Sequence, residues 1–126
     1  MANPFFYFFF FFFDNEEEFT KYTHDIEINS RKYVAKTLRV LRYFHKKSLK
    51  EIAEKTKIPY QTISRYEHEE NEPTINQAIK LANYYKLGLD ELIYFGSIED
   101  EDELIEKYKE YLELSKDKAP LDKFAK

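Results

Sequence analysis

Residues 48–67, SLKEIAEKTKIPYQTISRYE, contain the most informative local pattern in this chain. Ser48, with a glutamate three residues later, forms a capping box, which predicts the start of a helix of about eight residues. Pro59 favours a helix start and disfavours a helix interior, so it predicts that a second helix of similar length follows a short turn. Helices this short are marginal alone, and we therefore expect tertiary packing to hold both of them.

Two short helices joined by a three-residue turn have the geometry of a helix-turn-helix. Ile52 in the first helix, and Ile63 and Tyr66 in the second, recur at helical spacing and predict the sides that turn inward. Ala53 suits the crossing point, because two helices that cross steeply at close range need a small side chain there.

Helical patterns continue on both sides of this stretch. Residues 31–41, RKYVAKTLRVL, carry apolar side chains at helical spacing behind Ser30, a candidate N-cap. Thr74 opens a second capping box, and the helix behind it is expected to end near Lys86 and to be closed by Gly88, since glycine is common at the C′ position. Residues 90–95 predict a last short helix. Five short helices without a strand pattern predict an all-α domain over residues 31–96.

The ordered motifs of this domain resemble the phage-repressor (XRE/Cro-like) helix-turn-helix family over about residues 34–95. The resemblance lies in Ser48-x-x-x-Ile52-Ala53, Ile58-x-x-x-x-Ile63-Ser64-x-x-Glu67, Pro73 and the stretch KLANYYKLGLDEL that begins at Lys80. The chain departs from the family pattern at Leu49, Thr56, Lys57, Pro59 and His68-Glu69. At the position of Lys57 the family often has glycine, because this turn residue is expected to be left-handed. The resemblance implies a repressor-like transcriptional regulator that binds double-stranded DNA as a homodimer.

The distribution of charge supports nucleic acid as the partner, although the total charge is acidic. The chain has 20 Lys and Arg against 24 Asp and Glu, a net charge of −4. Residues 31–66, however, hold eleven basic and only two acidic residues, and the rest of the chain is net acidic. DNA affinity comes mainly from neutralised phosphates, so the local charge of the helix-turn-helix matters more than the total.

The second helix of the motif is expected to enter the major groove, with its outward side chains at the base edges. These candidate base-reading residues are Tyr60, Gln61, Ser64 and Arg65. Glutamine can pair bidentately with adenine and arginine with guanine, whereas tyrosine can contact a thymine methyl group or a phosphate. The candidates for phosphate contacts are Lys46, Lys47, Ser48, Lys50, Lys57 and Thr62, of which Thr62 is ambiguous between backbone and base contact.

The chain begins differently, with nine consecutive aromatic residues at 5–13 followed by an acidic stretch at 14–18. The aromatic run is too short to span a membrane, at about 13 Å against a hydrocarbon core of about 30 Å. It has neither the basic residues nor the cleavage site of a signal peptide. We interpret residues 1–30 as a low-complexity, disordered N-terminal arm derived from a homopolymer tract, with an ordered hydrophobic arm as the alternative.

Residues 97–126 predict an acidic, amphipathic C-terminal helix followed by a short polar tail. The helix carries a largely apolar stripe at helical spacing, formed by Leu104, Ile105, Tyr108, Tyr111, Leu112 and Ser115. Such a stripe needs a partner surface. It can fold back on the five-helix core, pair across a dimer, or bind another protein.

Composition excludes several other classes of function. The absence of cysteine removes disulfide, thiol and cysteine–zinc chemistry, and two glycines are too few for a phosphate-binding loop. His24, His45 and His68 are separate from any nucleophile or metal set, and His45 lies near a helix end, where a cation is favourable. We therefore expect no enzyme activity, no metal and no cofactor.

Two hypotheses for the function follow. The first is a cytoplasmic DNA-binding regulator of transcription without a membrane span. The alternative is an antitoxin-like protein-interaction module of the same fold, in which residues 97–126 or the aromatic arm bind another protein and DNA binding is secondary. Steep salt dependence of DNA binding distinguishes the first hypothesis from the second.

Overall fold

The computed structural model describes residues 16–115, and all of the regular structure in this range is helical. The helices are α1 (Glu16–Phe44), α2 (Leu49–Thr56), α3 (Tyr60–Glu67), α4 (Ile75–Tyr84), α5 (Leu89–Tyr94) and α6 (Glu101–Ser115), with a 3-10 turn at Phe95–Ser97. The predicted all-α class, a five-helix domain with a C-terminal helix, is confirmed. Within the described range, no helix is both long and apolar enough to cross a membrane.

Helix α1 begins much earlier than the sequence predicted. By its contacts the chain divides into two units, residues 1–30 and 31–126, and α1 includes residues of both. Residues 16–30 are therefore helical where a disordered arm was expected, and Ser30 lies inside a helix rather than at an N-cap. The physical reason is that no glycine or proline interrupts residues 16–44, while three glutamates occupy the first turn, where the helix dipole favours them. The aromatic run at 5–13 lies outside the described residues.

The core of the second unit draws one or more apolar side chains from each of its helices. The fully buried members include Leu38, Leu41, Ile52, Ile58, Ile63, Leu81, Leu92, Phe95, Leu104 and Tyr108. Leu104 and Tyr108 belong to α6, so the apolar stripe of the C-terminal helix folds back on its own domain. Of the partner surfaces expected for this stripe, residues 101–115 therefore use the core of their own domain.

A buried polar contact joins α6 to the ends of α1 and α4. The Tyr108 hydroxyl donates to the carbonyl oxygen of Tyr85 at 3.0 Å. Its single proton is thereby used, so it accepts from Nε2–H of His45 at 2.8 Å. Burial, followed by the nearby Lys47 and Lys86, lowers the pKa of His45 below 6.5. Burial therefore favours the neutral form of His45 at this helix end.

The end of α4 and the start of α5 also differ from the prediction. Lys86, with φ 64°, is the left-handed C′ residue of α4, and its N–H donates to Asn83 while the N–H of Leu87 donates to Ala82. Gly88 has φ −86° and is instead the N-cap of α5. Placing the C′ residue at Gly88 was therefore wrong by two positions.

Candidate nucleic-acid interface

The first helix of the motif begins as predicted, with a reciprocal pair of hydrogen bonds at its N-terminus. The Ser48 hydroxyl oxygen accepts from the Glu51 N–H at 3.1 Å, and Glu51 Oε1 accepts from the Ser48 N–H at 3.0 Å. These bonds, together with Lys47, hold the pKa of Glu51 below its usual value. The hydroxyl hydrogen of Ser48 remains available to a ligand, because its oxygen acts as the acceptor in this capping box.

The turn between α2 and α3 has the left-handed geometry expected at its first residue. Lys57 has φ 64° and ψ 27°, and its N–H donates to the Ala53 carbonyl at 2.8 Å. Pro59 is the N-cap of α3, and its carbonyl accepts from the N–H groups of Thr62 and Ile63. Two eight-residue helices with a three-residue connection are thus fixed by local backbone bonds as well as by the core.

Thr56, one of the departures from the pattern that the sequence resembles, is a polar residue at a buried position of α2. It is buried, and its hydroxyl donates to the Ile52 carbonyl one turn earlier at 2.8 Å. The hydroxyl is therefore satisfied within α2, and the methyl group is left for packing.

A buried ion pair attaches the end of α3 to α1. Glu67 is only 3% exposed, and Arg42 donates to both of its carboxylate oxygens, at 2.8 Å from Nε and 2.9 Å from Nη2. Arg39 donates to the Glu67 carbonyl at 3.0 Å, and Arg42 also donates to the Lys47 carbonyl at 3.2 Å. The bond to Glu67 is the largest cause of a raised pKa at Arg42. These contacts fix the orientation of α3 relative to the loop before α2.

Sequence reasoning named Glu67 only as part of a motif and missed this positioning role. The available signal was an acidic residue at the end of a strongly basic segment, together with two arginines three residues apart on α1. Neither feature identifies a partner by itself, because the pair joins residues 25 positions apart in the chain.

The outward side of α3 carries the four residues predicted to contact bases. Tyr60 is 41% exposed, Gln61 and Arg65 are exposed, and Ser64 is half-buried. Within residues 16–115, no hydrogen bond or ion pair occupies the side chain of Gln61 or Arg65. Ser64 is partly occupied, because its carbonyl accepts from His68 Nδ1 at 2.7 Å and its hydroxyl lies 3.4 Å from the same nitrogen.

The six predicted phosphate-contact residues lie around this helix with unequal exposure. The exposed members are Lys46, Lys47, Ser48, Lys50 and Lys57, whereas Thr62 is half-buried. Lys50 Nζ lies 5.8 Å from the centre of the Tyr60 ring, which places a cation of α2 beside the first residue of α3. Lys47 Nζ lies 3.8 Å from Glu51 Oε2, in an exposed pair that contributes little and is easily exchanged for another anion.

The basic segment 31–66 offers fewer free cations than its composition indicates. Arg39 and Arg42 are used by Glu67, as described above. Lys36 donates from Nζ to the carbonyls of Ile98 and Glu99, the latter at 2.7 Å, and so supports the segment before α6. Counting all eleven basic residues toward a DNA surface was therefore an overestimate, since three of them stabilise the fold.

Comparison with known families agrees with this geometry. Residues 45–92 match the family model described as Helix-turn-helix, which covers α2 to α4 and the first part of α5. This segment is a helix-turn-helix domain of the XRE/Cro-like family of DNA-binding transcription regulators. Comparison with curated proteins and with solved structures gave no match.

Proposed function

We propose that this protein is a repressor-like regulator that binds a specific sequence of double-stranded DNA by placing α3 in the major groove. The observation that carries the proposal is the outward side of α3, where Gln61 and Arg65 are exposed and have no side-chain partner among residues 16–115. The buried Arg42–Glu67 pair fixes that side relative to the lysines around it. Specific DNA binding requires this combination of positioned base-reading side chains and a basic rim.

The residue types on α3 assign the base contacts. Arg65 offers a bidentate pair to guanine and Gln61 offers one to adenine, each contributing about 1–3 kcal/mol of discrimination. Tyr60 presents its ring edge to a thymine methyl group, while Lys50 beside that ring contacts the adjacent phosphate. Ser64 contributes less in this proposal, because His68 already engages it.

The rim of the motif supplies the contacts that do not depend on sequence. The exposed lysines around α2 and the turn are Lys46, Lys47, Lys50 and Lys57. Each phosphate that they neutralise steepens the slope of log affinity against log salt concentration by about 0.9. The Ser48 hydroxyl donates to a phosphate oxygen from the N-terminus of α2, where the helix dipole also favours an anion. Two such domains, related by a two-fold axis, would read half-sites about 34 Å apart.

The protein-interaction alternative has less support from the described residues. Its most direct surface was the apolar stripe of the C-terminal segment, and this stripe lies in the core of its own domain. A partner protein would therefore bind the outer, acidic side of α6 or the aromatic run at 5–13, which lies outside the described residues. Such a complex would leave the lysines around α2 without a role.

The experiment is a titration of fluorescent duplexes, selected from a random pool, at two salt concentrations. Wild-type protein is expected to lose affinity steeply with added salt, whereas Lys50→Ala is expected to weaken all duplexes alike and to lower the salt slope by about 1. Lys109→Ala is the matched control, since Lys109 is an exposed lysine on α6, outside the motif. Absence of any duplex binding at low salt would overturn the proposal and favour the protein-interaction alternative.

A further inference from the structure

The C-terminal helix α6 contacts the segment that leads into α2. Tyr108 of α6, which is only 1% exposed, is hydrogen-bonded to His45 at the end of α1 and to Tyr85 at the end of α4. The imidazole of His45 also stacks on the Tyr85 ring, with ring centres 5.8 Å apart, and meets the Tyr108 ring edge-on at 5.7 Å. Residues 45–48, here named the pre-α2 segment, therefore begin at a side chain that α6 holds.

The pre-α2 segment carries three of the residues predicted to contact phosphates, Lys46, Lys47 and Ser48. Its last two residues are held from within the motif, because Arg42 donates to the Lys47 carbonyl at 3.2 Å and Glu51 accepts from the Ser48 N–H at 3.0 Å. Lys46 is left-handed, with φ 55°, a conformation that is disfavoured for lysine and persists only where the surrounding structure fixes it. The orientation of this residue therefore depends on how firmly the first residue of the segment is held.

The hydroxyl group of Tyr108 holds the imidazole of His45 in one tautomer. Its proton goes to the carbonyl oxygen of Tyr85 at 3.0 Å, so toward His45 it accepts, at 2.8 Å from Nε2. Burial lowers the pKa of His45, so at pH 7 the ring is mainly neutral and carries its one N–H on Nε2. Without the Tyr108 oxygen this half-buried N–H loses its acceptor, and the ring would turn toward water to regain one.

We propose that Tyr108 is a positioning residue for DNA binding, which acts through His45 to hold Lys46, Lys47 and Ser48 together at the backbone phosphates. This inference rests on the proposed function, and it makes α6 part of the DNA-binding unit without assigning any residue of α6 to the DNA. The contacts that depend on Tyr108 are those to phosphates. Its loss therefore weakens binding to every duplex alike and leaves the base preferences of α3 unchanged.

The test compares two tyrosines of α6 that each lose a hydroxyl group. Tyr108→Phe keeps the ring in the core and removes the acceptor of His45. Tyr111→Phe is the matched control, since the Tyr111 hydroxyl donates to Glu91 of α5 at 3.2 Å. Titration of fluorescent duplexes with the full chain is expected to show about a fivefold loss of affinity in Tyr108→Phe on every duplex, and a salt slope lower by up to about 1. Tyr111→Phe is expected to match wild type in both quantities.

The salt slope separates positioning from stability. A variant that is only partly folded loses affinity in proportion to its folded fraction, which circular dichroism measures, but its folded molecules keep the wild-type slope. A pair of variants at His45 repeats the test. The amide of His45→Gln can donate to the Tyr108 hydroxyl and should keep the affinity within about twofold, whereas His45→Leu should lose as much as Tyr108→Phe. The double variant Tyr108→Phe with His45→Leu should lose no more than either single variant, because both remove the same contact.

The outcomes separate this inference from the proposed function. If wild type binds a selected duplex but Tyr108→Phe and Tyr111→Phe share its affinity and salt slope, the positioning role is overturned and the proposed function stands. A loss in His45→Gln as large as that in His45→Leu would also overturn the positioning role. If wild type itself binds no duplex at low salt, the proposed function fails, and this inference fails with it.

Discussion

The Arg42–Glu67 pair gives the sharpest prediction about the stability of this domain. In Glu67→Gln the side chain keeps its shape but loses its charge, which leaves the Arg42 guanidinium, 14% exposed, without a counter-ion. Removing one partner of a buried ion pair costs about 3–5 kcal/mol. The amide oxygen of glutamine still accepts one hydrogen bond, so we expect the lower end of this range, about 3 kcal/mol. For a domain of this size the melting temperature would fall by about 12 °C or more.

The assay is urea unfolding followed by far-ultraviolet circular dichroism. Glu106→Gln is the control, because it breaks an exposed pair with Lys109 at 3.7 Å and should change the unfolding free energy by less than about 0.5 kcal/mol. Replacing Arg42 and Glu67 together by methionine should recover most of the loss, since no unpaired buried charge remains. If Glu67→Gln costs no more than Glu106→Gln, the pair does not hold α3 in the way described.

Three further perturbations test other parts of the fold. Gly96→Ala should destabilise the domain by about 2 kcal/mol or more, because a Cβ atom there would lie 1.8 Å from the Tyr33 carbonyl oxygen. Gly88→Ala is the control, since a Cβ atom there meets only the end of a flexible side chain. Equal losses in the free energy of unfolding for the two variants, measured with denaturant, would refute this. Lys57→Gly should raise the unfolding free energy by about 0.5 kcal/mol, since glycine relieves the left-handed φ at some entropic cost, and Lys57→Ala, which keeps the strain, should not. The lowered pKa of His45 means that the folded state binds this proton less readily than the unfolded chain does. The contribution of neutral His45 to the free energy of unfolding is therefore complete above pH 6.5 and is lost as the pH falls through the folded-state pKa. Between about pH 7.5 and pH 5.5 the free energy of unfolding should depend less on pH in His45→Gln, and an unchanged dependence would contradict the burial of His45.

Features set by neighbouring residues could be predicted from the sequence. The Ser48 capping box and the helix start at Pro59 each act within three or four positions, so their chemistry is visible in the sequence itself. The left-handed geometry of Lys57 was expected only from the resemblance, because lysine itself gives no local signal for it. The capping box predicted at Thr74 is only half formed. Its side chain accepts from the Gln77 N–H at 3.2 Å, but the Gln77 side-chain oxygen accepts from the Tyr66 hydroxyl instead of completing the box.

Features set by tertiary contacts could not be predicted in the same way. Glu67 contacts Arg42 and Arg39 through the packing of α3 against α1, which brings together residues far apart in the sequence. Burial is the largest cause of the lowered pKa of His45, and burial is also set by tertiary packing. Gly88 suggested a helix end, but Lys86 takes that role because the backbone bonds of a left-handed C′ residue are made two positions earlier. The base contacts assigned to α3 stay a prediction, since they depend on a partner that the fold alone does not contain.

The effect of Arg65→Ala on base discrimination measures most directly whether α3 reads the bases of the DNA. The measurement compares dissociation constants of wild type and variant for the selected duplex and for duplexes with each single base-pair substitution. Arg65→Ala is expected to cost about 1–3 kcal/mol on the selected duplex and to remove the preference at one position only, while preferences elsewhere persist. An unchanged affinity, or an equal loss on every duplex, would contradict the assignment of α3 as the helix that reads the bases.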